Sequence, residues 1–155
     1  MTDFPHLTPD GDVHMVDVSD KEVTDRIAIA ECFVSMTEAT ATALFAGRLP
    51  KGDAMASVRL AGIMAAKRTP DLIPLCHPIA ISGVEVAVEP APAGARIEAT
   101  VRTTGRTGVE MEAMTAVSVA ALALYDMVKG IERSVEIGPV RLTLKSGGRS
   151  GEWTR

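Results

Sequence analysis

The amino-acid sequence predicts an α+β fold of the ferredoxin-like, split β-α-β kind: an antiparallel sheet backed by helices, with one helix beyond the minimal pattern. Three observations carry that expectation. Two-residue and helical periodicities follow one another in the order strand, helix, helix, strand, strand, helix, strand; the spacer "PAPAG" separates two β-type runs; and the longest helix-compatible run is rich in alanine. The first strand is read over Arg26 to Met36, where Ile27, Ile29 and Phe33 alternate with smaller residues. Thr37 offers an N-cap to the helix "EATATALFA", and Gly47 a left-handed stop. Asp53 caps a second helix, "AMASVRLAGIMAAKR", whose basic end complements the helix dipole. Three prolines in "TPDLIPLCHP", residues 69–78, predict a loop. "IAISGVEVAVE" and "ARIEATVRT" form a hairpin. "TGVEMEAMTAVSVAALALYDMVKG" is the longest helix, closed by Gly130, with Thr107 and Glu110 spaced as a capping box. "SVEIGPVRLTLK" is the last strand, and "SGGRSGEWTR" a loose tail.

At 155 residues and 46% hydrophobic content the chain suits one domain, residues 14–155, behind a flexible arm at residues 1–13 whose prolines and aspartates show little periodicity. Only 3% of residues are aromatic, so the core must be filled by aliphatic side chains and methionine, and such a chain gains from oligomer contacts. A net charge of -4 argues against a nucleic-acid binder, which carries a basic field. Two cysteines, Cys32 and Cys76, are too few for a disulfide framework, and the acidic start has no apolar leader, which together predict a cytoplasmic protein. The apolar run Met114 to Val128, broken by Thr115, Ser118 and Asp126, is too short to span a bilayer, so no membrane partner is expected.

In "IPLCHP" a cysteine precedes a histidine between prolines. Neighbours on extended backbone point to opposite faces, which disfavours a Cys76–His77 nucleophilic dyad. The only other histidines are His6 and His14, without metal-ligand spacing, so no metal site is expected. Pro74 and Pro78 instead push Ile73 and His77 to extended angles, which makes either a stiff rim able to read a flat heterocycle or a plain buried connector. A capping box accounts for Glu110 but not for Glu112, whose carboxylate at a helix start could receive an amide or guanidine-like edge. Asp126 and Lys129 share a helix face beside Tyr125, either as a surface ion pair or, if buried, as an acid-base pair. Lys51 of "PKGD", with Lys67, Arg68, Lys145 and Arg149, stands next to glycines or helix ends, where cations are either solvated or placed for a small polyphosphate.

Taken together, "HMVDV" (14–18), "KGD" (51–53), "AGIMAAKRTPDLIPLCHP" (61–78), "TGVEMEAMTA" (107–116), "YDMVK" (125–129) and "IGPVRLTLKSGGRSG" (137–151) resemble the cyclic pyranopterin monophosphate synthase family of molybdenum-cofactor biosynthesis. The resemblance implies a ferredoxin-like subunit of a homohexamer, a trimer of dimers with sites at subunit boundaries. It implies conversion of 3′,8-cyclo-7,8-dihydro-GTP to cyclic pyranopterin monophosphate with loss of pyrophosphate, without a cofactor except Mg²⁺ as a counter-ion the triphosphate could bring. By the same resemblance Leu75, Cys76, His77, Met111 and Glu112, with Glu110 beside them, contact the substrate. Asp126, Lys129 and Lys51 supply the acid-base steps, and Arg26 and Lys67, with Lys145, sit near the triphosphate. Such chemistry at neutral pH suits a desolvated lysine beside a carboxylate.

Overall fold

A computed structural model of the chain describes residues 6–155; residues 1–5 of the expected arm lie outside the described residues. The elements are β1 (Thr24–Ser35), α1 (Glu38–Phe45), α2 (Ala54–Lys67), α3 (Thr69–Leu72), β2 (Gly83–Ala91), β3 (Gly94–Gly105), α4 (Glu110–Val128), β4 (Glu136–Ser146) and β5 (Trp153–Thr154). All pairings are antiparallel and the sheet order is β2-β3-β1-β4-β5. With β3 inserted between β1 and β2, this is the ferredoxin-like split β-α-β arrangement, extended by one short edge strand.

Side-chain alternation on the strands decides which face meets the helices. Ala28, Ala30, Cys32 and Val34 of β1 and Ile97, Ala99 and Val101 of β3 are buried against the helical layer. α4 answers with Ala113, Ala116, Val117, Ala120, Ala121 and Leu124, so the core fills with small aliphatic groups at close approach instead of aromatic rings. Gly62 marks the tightest contact of α2: a Cβ there would lie 3.0 Å from Val86 Cγ2 and 3.2 Å from the Ala116 carbonyl oxygen. On the opposite face Glu31 is buried between two arginines, accepting from Arg96 Nε at 2.7 Å and Arg141 Nε at 2.6 Å. Those two contacts outweigh the cost of burial and hold its carboxyl below the usual range.

The caps predicted for α1 and α2 are present, Thr37 accepting from Thr40 N–H and Asp53 from Ala56 N–H. Gly47 follows α1 at φ 66°, and the β2–β3 hairpin turns at Pro92 and Ala93. Four expectations differ. Residues 69–72 form one helical turn, because Pro70 stands in the first turn, where its missing N–H is not needed. β2 starts at Gly83, not at Ile79. The Thr107–Glu110 capping box does not form: Val109 is the N-cap, without a side-chain bond, and Glu110 bonds Lys145 instead. The tail residues Trp153 and Thr154 pair with Lys145 and Leu144 of β4. α4 is long and apolar enough to cross a membrane by length and composition, but 56% of its apolar window is buried within this fold.

Candidate active site

The residues singled out from the sequence gather at the two ends of α4. At its start, the segment after α3 brings Leu75, Cys76 and His77 beside Met111 and Glu112, around a cavity of about 390 Å³. Ile73 adopts φ -112° and ψ 108°, the extended geometry that Pro74 imposes. The His77 ring contacts the Val16 carbonyl through Nε2 at 2.7 Å. A carbonyl only accepts, so Nε2 carries a hydrogen, and in the neutral ring Nδ1 is left as an acceptor. Glu112 is buried, which raises its carboxyl above the usual range, and the neighbouring Glu110 carboxylate adds to that shift. Burial and then the Glu112 charge push the Cys76 thiol up, which disfavours the thiolate that a nucleophile needs. This end therefore offers a mixed rim of acceptors, protonatable acid and apolar surface.

Beside it lies a second cavity of about 670 Å³, where Arg26, Arg106, Lys145 and Arg149 converge with Lys21. Arg26 donates through Nε to the Gly105 carbonyl at 2.9 Å and through a terminal nitrogen to the Arg106 carbonyl at 3.2 Å. Its guanidinium passes so close to the turn after β4 that a Cβ on Gly148, at φ 72°, would lie 2.4 Å from it. Carbonyl contacts leave the guanidinium charge intact, and the cations Lys21, Arg26, Arg106, Lys145 and Arg149 outnumber the acids Asp20, Glu22 and Glu110 of the same lining, so the balance of charge favours an anion. Lys21 and Arg106 belong to this groove and escaped the sequence reading. The signal for Arg106 was its place between glycines at the end of a predicted strand. Lys67 ends α2 and is exposed; it lines neither cavity.

At the other end of α4, Asp126 accepts from Lys51 and from Lys129, each at 2.7 Å. The two ammonium groups, Lys129 first, lower the Asp126 carboxyl to about 2, and Asp126 in turn raises Lys129. All three side chains are about half exposed in the single chain, so there they form the surface ion pair and not the desolvated lysine that the resemblance implies. Glu110 and Asp126 are sixteen residues apart on one helix, a separation of about 24 Å. Proton transfer needs heavy atoms at about 3 Å, so the two ends cannot serve the same ring atoms within one chain. Among the described residues no group of three or more His, Cys, Asp or Glu side chains is placed to hold a metal ion.

The family model described as "MoaC family" matches residues 15–148. The chain is 56% identical over 154 residues to cyclic pyranopterin monophosphate synthase of Roseiflexus castenholzii, covering 98% of each chain. It is 54% identical to the protein of the same name from Dinoroseobacter shibae, covering 99% of this chain and 98% of that one. Likeness to the corresponding protein of Corynebacterium glutamicum is 50%, over 99% of both.

Proposed function

This chain belongs to the MoaC family, and on that premise we propose that it converts 3′,8-cyclo-7,8-dihydro-GTP to cyclic pyranopterin monophosphate. The step releases pyrophosphate and is a lyase reaction of molybdenum-cofactor biosynthesis. No redox cofactor is required, because neither ring nor phosphate changes oxidation state. Mg²⁺ enters, if at all, with the triphosphate. The expected setting is the cytoplasm.

The observation that carries the chemistry is one carboxylate held between two ammonium groups, Asp126 between Lys51 and Lys129. Such a chain of charges can donate a proton to an opening ring and neutralise the phosphate attacked during cyclisation. Leu75, Cys76, His77, Met111 and Glu112 present the rim against which the flat ring is read. Arg26 and Lys145 offer charge to the departing pyrophosphate, whereas Lys67, at the exposed end of α2, lines neither cavity and is left out of that role.

The separation along α4 makes a second copy part of this reading. A shallow stripe of Met111, Met114, Ser118, Leu122, Asp126 and Lys129 repeats every three or four residues along the outer side of α4, and Met111 and Leu122 are exposed apolar positions within it. A copy laid antiparallel on that stripe, about a two-fold axis near its middle, would set the Glu112 rim of one chain against the Asp126 lysines of the other. It would also withdraw those lysines from water. Three such dimers would make the hexamer. The test is complementation. Glu112→Gln and Lys129→Ala chains, each inactive alone, are mixed after dissociation, and pyrophosphate release and pterin product are followed. Random reassembly restores about a quarter of wild-type turnover, one intact site in half of the dimers. A site contained in one chain restores none, and a wild type that turns over no substrate ends the reading altogether.

A further inference from the structure

Glu110, which the resemblance sets beside the substrate contacts, has no part in the acid-base steps proposed above. It borders both cavities, the rim beside Met111 and the cationic groove beside Arg26. Its Oε1 accepts from Lys145 Nζ at 3.2 Å, with both side chains about one-third exposed. Among the described residues Lys145 is the one cation of the groove paired with a carboxylate, whereas Arg26 and Arg106 make their contacts to backbone carbonyls. The carboxylate is seated over Gly108, where a Cβ would lie 1.9 Å from Oε2, so the absence of a side chain there creates its seat. One cation of the groove is thus already paired with a carboxylate that the chain itself supplies.

Resting on the reading that this groove takes the polyphosphate end of the substrate, we propose that Glu110 is an internal stand-in for phosphate. It holds Lys145 while the groove is empty and yields it when a polyphosphate enters, which frees its own carboxylate for the ring cavity. A phosphate brings more charge to the ammonium than one carboxylate does, so the exchange runs in that direction. The freed carboxylate remains at the first turn of α4, where the helix dipole favours it, and offers two acceptor oxygens to an amide or guanidine-like edge. Phosphate engagement and ring recognition are thereby coupled through one side chain.

The test uses inorganic pyrophosphate and the whole assembled protein, with affinity read by calorimetry. Glu110→Gln removes the competitor and tightens pyrophosphate binding by about two- to fivefold, the range of a part-exposed ion pair. Glu22→Gln, which removes an unpaired carboxylate from the same groove, controls for the general field and produces a smaller gain. In a Lys145→Gln background the Glu110→Gln gain disappears while that of Glu22→Gln persists. If Glu110→Gln weakens binding, matches Glu22→Gln, or keeps its gain without Lys145, the exchange is wrong. Turnover of the cyclised dihydro-GTP is measured alongside. Turnover without a Lys145-dependent gain defeats the exchange alone, and loss of both turnover and pyrophosphate binding in wild type defeats the underlying reading as well.

Discussion

Cys76 and His77 show how far neighbouring residues can differ in what the chain asks of them. Burial and the Glu112 carboxylate push the thiol up, away from its thiolate, while the ring is tied to the Val16 carbonyl. Cys76→Ser therefore leaves turnover within about threefold of wild type, against the factor of 10⁴ or more that loss of a true nucleophile costs, as steady-state rates will show. Asp126 makes a separate prediction about acid. Its carboxyl is lowered from 3.8 to about 2, so the stability it contributes is complete above its unfolded value and is lost as pH falls through the folded one. The melting-temperature advantage of wild type over Asp126→Asn should be flat above about pH 5 and vanish toward pH 2. An advantage that grows again above neutrality would show that another group sets it.

Among the elements, those whose ends are written in local chemistry were legible. Thr37, Asp53 and Gly47 mark the limits of α1 and α2 through side-chain oxygens or left-handed backbone, and the structure uses all three. The start of α4 was not legible, because Glu110 had two partners available and a distant lysine on β4 outcompeted the local cap. The turn at Thr69 is hidden by the proline density of residues 69–78, which forbids continuous helix but not one turn with Pro70 at its start. The α2–α4 contact was also invisible beforehand, since it depends on which small residues meet. Gly62→Leu tests it: the branched side chain must displace Val86 and the Ala116 backbone, at about 1–3 kcal/mol measured by denaturant unfolding. A neutral result would mean the helix pair can separate without loss.

For the whole molecule, the succession of the first four strands and their helices was readable from periodicity and the hairpin, and most of the charged candidates from their neighbours in sequence. Their mutual placement was not, because a residue list carries no distances. Asp126 and Glu112 look like members of one site until the rise of α4 sets them at opposite ends. Glu31 was passed over for the same reason: its arginines come from β3 and β4, 65 and 110 residues away.

The span of α4 has a consequence for mixed populations. In the proposed dimer each chain lends one end of the helix to one centre and the other end to a second, so damage at a single end would lower activity in direct proportion to the share of damaged chains. Damage at both ends in the same chain lowers it with the square of the intact share, because every centre then needs two intact contributors. Equal mixtures would retain about half and about a quarter of full activity respectively. In that arrangement, a helix that spaces two half-centres would make the cell's tolerance of a defective copy depend on how many ends that copy has lost.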